Sequence, residues 1–116
     1  MDPIELAVGI LSEELTVPVS TEIPATRPQR MVAVTLDADN STEYLMRVTL
    51  GLTCWGTSDR DAHGIAVSAV DALRDAALEH DLLSAVGLET MARDEWTKTG
   101  QARYFASVEL TVNVDE

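Results

Sequence analysis

Three sets of residues in this sequence are of types that do chemistry: the lone thiol of Cys54, the histidines His63 and His80 with the acids near them, and the adjacent carboxylates Asp94 and Glu95. A cysteine works as a nucleophile beside a base that draws off its proton. Cys54 instead keeps step with Met46, Val48, Leu50 and Leu52 on one side of an alternating stretch, so it reads as an inert core thiol. His63 follows Asp59 and Asp61, but positions i, i+2 and i+4 at a helix start do not face one point. The acids there serve better as capping charge at the positive end of the helix dipole. His80 and Asp81 come at the expected end of the same helix, where an imidazole suits the carbonyl dipole. Asp94 and Glu95 would point to opposite faces of a strand, which makes them a poor cooperating acid pair. The chain has no phosphate-cradling glycine loop, HExxH, CxxC or GxSxG. The expectation is a domain with no catalytic residue, no metal and no cofactor, working through contacts with other proteins.

The elements that would position these residues read as follows. Ile4, Ala7, Val8, Leu11 and Leu15 recur at helical spacing behind Asp2-Pro3, a good helix start. Burying that stripe leaves Leu6 and Ile10 on roughly the opposite side, as candidates for an interface. Val17 to Ile23 alternates weakly, and Pro24 and Pro28 favour extended backbone, so a short strand or extended connection is expected. Met31 to Leu36 has strand composition, with a hairpin turn around Ala38 to Ser41. Met46 to Cys54 alternates with period 2, the signature of a strand with one buried face. Ser58, with Asp61 three residues on, starts a second helix, whose apolar face is Ala62, Ile65, Ala66, Ala69, Val70, Leu73, Ala76 and Ala77. Its alanines permit close packing on a sheet. Val86 to Trp96 reads as a partly exposed strand and Tyr104 to Val114 as a central or well-packed one. The order is α-β-β-β-α-β-β: an α+β domain with an antiparallel-rich sheet of four to five strands and two helices on one face. The other face, rich in Thr, Ser, Asn, Arg and Glu, is either solvated or turned toward a ring lumen or a neighbour. Trp55 and Trp96 fall near strand ends, where core capping is the favoured role.

With 116 residues and 46% hydrophobic content, one domain with one core is expected. Lys and Arg number 8 against 20 Asp and Glu, and the net charge of −12 opposes binding to a phosphate backbone. The acids are spread along the chain and read as a solvated surface. One cysteine cannot form an internal disulfide, and Asp2 and Glu5 stand where a signal peptide would be basic, so a cytoplasmic product is expected. The apolar runs fall short of the ~20 residues of a membrane span.

The chain also resembles the tail terminator, or tail completion, proteins of long-tailed phages with non-contractile tails, frequently carried by actinobacterial prophages. The resemblance lies in an extended segment from Val19 to Pro28 ending in Thr26-Arg27-Pro28, followed by the strand Met31-Val32-Ala33-Val34 and a turn. Next come a strand ending in Trp55-Gly56-Thr57, a helix with Ala62 in its first turn, and two closing strands. Family members often have a glycine-rich turn where this chain has Asp37-Ala38-Asp39-Asn40-Ser41. The resemblance implies a non-enzymatic virion protein forming a hexameric ring at the head-proximal end of the tail tube. That ring would stop tube polymerisation and present a head-joining surface. The implied partners are further copies of this chain, the tail tube protein and the head connector protein, with DNA as passing cargo and no membrane. The implied location is the virion tail, after assembly in the host cytoplasm. An acidic wall suits a channel that must not grip phosphates. The interface candidates are Leu6, Ile10, Arg27, Pro28, Asp37, Asp39, Asn40 and Glu43.

Three other readings stay open. Another phage neck or minor tail protein would share this coarse pattern. An acidic inhibitor that mimics DNA would compete with DNA for a basic protein. A small-ligand enzyme of ferredoxin-like build would need a pocket with convergent polar groups, and the sequence shows no such convergence.

Overall fold

The alternating stretch around Val48 to Cys54 becomes the axis of a sheet. In the computed structural model, which describes residues 3–22, 29–43, 45–79, 83–93 and 102–113, the elements are α1 (Pro3–Glu14), β1 (Val19–Ser20), β2 (Met31–Asp39), β3 (Leu45–Gly56), α2 (Asp59–Glu79), β4 (Leu83–Arg93) and β5 (Ala102–Asn113). Among the described residues the five strands form one sheet in the order β1-β2-β3-β5-β4, antiparallel throughout except for the parallel β1–β2 pair. This is the α+β architecture and element order that the periodicities predict. The last strand is indeed internal, between β3 and β4.

Period-2 alternation decides which side chains meet the helices. Val32 and Val34 of β2, Val48, Leu50, Leu52 and Cys54 of β3, and Ala106, Val108, Leu110 and Val112 of β5 are buried in one cluster with both helices. α2 lies across β3, β5 and β4, while α1 packs on α2, β2 and β1. Ala62, Ala66 and Ala69 are fully buried along α2; their short side chains bring the helix backbone close to the sheet. Each Val or Leu buried this way stabilises the fold by about 1.5–3 kcal/mol.

The short strand expected in the Val17–Ile23 stretch is the two-residue β1, kept short because proline lacks the N–H that a ladder needs. Other expectations change. β2 continues through Asp39, so the reversal falls between Asp39 and Leu45, later than the Ala38–Ser41 turn expected. The physical cause is a bulge between Leu36 and Ala38 that absorbs one extra residue, Asp37, and keeps the ladder going. β4 spans Leu83 to Arg93 and so begins three residues before the Val86 expected, while Asp94 to Trp96 of the stretch read lie outside the described residues. Its own bulges, between Leu83 and Ala85 and between Leu88 and Thr90, break the strict alternation that would have marked its start. No described helix is long and apolar enough to cross a membrane.

α1 corrects the first interface candidate. Its buried residues are Ala7, Ile10 and Leu11, so Ile10, 8% exposed, belongs to the core and is not spare surface. Leu6 is half-buried and packs against the same cluster, as do Ile4, Val8 and Leu15. The helix touches both α2 and the sheet edge, and two neighbours demand a wider apolar arc than the single stripe assumed from spacing.

Candidate interaction surfaces at the two ends of the sheet

β3 is twelve residues long, which at about 3.3 Å per residue separates its ends by roughly 36 Å. The β2–β3 hairpin closes at one end of this strand, and α2 begins at the other. The molecule is elongated accordingly, 45 × 24 × 23 Å.

At the α2 end, Trp55-Gly56-Thr57 forms a tight junction. A Cβ on Gly56 would meet the backbone nitrogen of Ala62 and lie 2.8 Å from its Cα. Only glycine lets the strand end and the first helical turn approach so closely. Ser58 caps the helix: its Oγ accepts from the Asp61 N–H at 3.1 Å, and its carbonyl accepts from the Ala62 N–H at 2.9 Å. The capping expected from Ser58 and Asp61 is therefore present. The Asp61 carboxylate then does two further things. It accepts from the Thr57 N–H at 2.9 Å and the Thr57 hydroxyl at 3.3 Å, and it takes a bidentate pair from Arg30, with Nε and Nη2 each at 3.0 Å. The Thr57 amide first, and the Arg30 guanidinium with it, hold the Asp61 carboxyl below its ordinary range. Arg30, immediately before β2, is thus tied to the start of α2.

Beside this junction lies a cleft of about 430 Å³ between the end of α1 and the first turns of α2. Leu15, Val17 and Ile65 give it apolar walls, Arg30, Arg60 and Asp61 charge, and Ser58 and Ser68 hydroxyls. Sequence reasoning found the cap but missed the cleft, because Arg30 and Asp61 meet only through the pairing of Met31 with Trp55.

At the hairpin end, every residue from Thr35 to Glu43 is exposed although the ladder to β3 continues through Asp39. The tip is nonetheless well bonded. The Asn40 N–H donates to the Arg47 carbonyl at 2.8 Å and the Thr42 N–H to the Leu45 carbonyl at 2.7 Å. The Ser41 N–H donates to Asp39 Oδ1 at 3.0 Å, and the Arg47 N–H to Ser41 Oγ at 3.1 Å. Hydrogen bonds from Ser41 hold the Asp39 carboxyl below its ordinary range. Asp37, the bulge residue, accepts from the Thr35 hydroxyl at 2.9 Å. A Cβ on Gly51 would come within 2.8 Å of that hydroxyl and 3.0 Å of Phe105 Cε1, so Gly51 provides the space for the bulge. The arm carries three carboxylates, Asp37, Asp39 and Glu43, and one large exposed apolar side chain, Leu36 at 44%.

Asp37, Asp39, Asn40 and Glu43 are therefore brought together on one exposed arm, whereas Leu6 and Ile10 sit on α1, packed against the core. Arg27 and Pro28 lie outside the described residues, as do His80, Asp81, Asp94, Glu95 and Trp96. Cys54 is buried among aliphatic side chains, which pushes its thiol up to about 12. His63 is exposed and packs on the Tyr104 ring at 5.1 Å. Among the described residues no three His, Cys, Asp or Glu side chains gather as a metal site. Trp55 is buried with Met31 and Ala33 in a separate small cluster on the face away from the helices, under the Arg103 guanidinium at 5.8 Å. On that same face Ser107 is buried, Phe105, Thr49, Thr53 and Glu109 are half-buried and Arg47 is exposed.

The chain matches no protein-family model, and no curated protein is detectably similar to it in sequence.

Proposed function

We propose that this chain is a structural virion protein that caps the head-proximal end of a phage tail tube as a ring, ending tube growth and offering the surface to which the head is joined. The observation that carries this reading is the arm from Thr35 to Glu43, exposed along its whole length yet hydrogen-bonded through its tip. A head-to-tail ring needs on each subunit a defined surface that its own core does not use, and a preordered arm meets that need at little entropic cost. The junction of Trp55-Gly56-Thr57 with Ala62, which the resemblance singles out, has a physical basis here in the close approach of Gly56 to the Ala62 backbone. The net charge of −12 fits a wall past which DNA slides without being held.

The test is to add the purified protein to polymerising tail tube subunits and measure tube lengths by electron microscopy. Substoichiometric addition should shorten the tubes, with the protein located at one end only. Unchanged tube lengths, combined with displacement of DNA from a basic protein at low salt, would replace this reading with that of an acidic DNA mimic.

A further inference from the structure

We infer that the acidic arm of one copy docks into the cleft between α1 and α2 of a second copy, making a head-to-tail contact. The two surfaces are complementary in chemistry. The arm offers carboxylates at Asp37, Asp39 and Glu43 and the exposed side chain of Leu36. The cleft offers apolar walls and the guanidinium groups of Arg30 and Arg60, two of only eight basic residues in a chain of net charge −12. Asp61 at the cleft already occupies part of Arg30 through the bidentate pair, so Arg60 is the group left to meet an incoming carboxylate.

The arm that fills the cleft is not the chain's own. The tip of the arm lies beyond Val48 at one end of β3, while Arg30 and the first turn of α2 lie at the other end, and a strand of this length holds those ends roughly 36 Å apart. Two different patches on one chain, each fitting the other, define a heterologous contact, which closes into a ring when the rotation per step permits. The inference rests on the ring reading only in naming a second copy as the occupant. Long-range repulsion between two strongly acidic chains opposes the contact at low salt. At about 0.15 M salt it is screened beyond roughly 8 Å, while ion pairs in direct contact persist.

The experiment uses the full chain with two introduced cysteines, Glu43→Cys on the arm and Gly64→Cys in the cleft. A Cβ at Gly64 meets nothing within 4 Å, so the fold tolerates it, and buried Cys54 does not interfere. Under mild oxidation, disulfides between chains should form at least about tenfold faster than in a control pair of Glu43→Cys with Gly87→Cys, because docked thiols meet at high effective concentration. In parallel, Arg60→Glu should raise the concentration needed for association by about tenfold, and adding Glu43→Arg to the same chain should restore it. If the wild type closes into a ring while neither the cross-link nor the charge swap has an effect, the contact is wrong and the ring reading survives. Cross-linked chains that grow as an open ladder would keep the contact and remove the ring. A wild-type monomer with cross-linking no faster than the control overturns both.

Discussion

Gly56 has no space for even a methyl group, because the backbone of Ala62 fills the position a Cβ would take. Gly56→Ala should therefore lower stability by about 1–3 kcal/mol in urea unfolding, the cost of forcing an extra carbon into close-packed surroundings. Cys54 makes a different prediction. Its thiol is raised from 9.0 to about 12 by burial, so the folded chain holds that proton more tightly than the unfolded one. The resulting stability is complete below pH 9 and falls as pH rises from about 9 to 12, by about 1.4 kcal/mol per pH unit within that window. Urea midpoints across alkaline pH check this, with Cys54→Ala as the comparison that loses the slope. Asp61 runs the other way: its lowered carboxyl contributes above the ordinary value of 3.8 and loses that contribution as pH falls through its folded pKa. Asp61→Asn should flatten the acid limb of the stability profile.

At the scale of the elements, α1 is where sequence spacing was least sufficient. The 3–4 spacing identified the helix, but which residues lie deepest depends on its having two neighbours, α2 and the edge of the sheet. Ile10→Ala should cost about 2–4 kcal/mol in urea unfolding, as a core truncation does, and the half-buried Leu6→Ala distinctly less. A surface role for Ile10 would instead leave stability unchanged. The strands that alternate cleanly, β3 and β5, were legible because period 2 is a direct consequence of one buried face. The end of β2 and the start of β4 were misplaced by a few residues because bulges at Asp37 and in β4 shift the pattern without a sequence rule to announce it. The bulges fall on β4, an edge strand, and on the part of β2 beyond its two-residue pairing with β1, where they lower the tendency to pair edge to edge with other chains. The acidic residues of the hairpin were legible as a group, whereas the cleft was not. It is assembled from α1, the start of β2 and α2, which only the folded chain brings together.

For the whole molecule, the governing facts are an elongated sheet with different chemistry at its two ends and a charge of −12. Self-association should accordingly strengthen as salt rises from about 0.01 to 0.15 M, where screening removes long-range repulsion; sedimentation velocity across salt reads this directly. The element order was legible because each step of the chain carries its own periodicity, and the oligomeric state was not, because no single sequence reports which surfaces meet. The most direct test of the ring reading is native mass spectrometry of the full chain across protein concentration at near-physiological ionic strength. A discrete closed hexamer, persisting on dilution without intermediate species, is the expected result. A monomer at every concentration, or a continuous series of open oligomers, would contradict it.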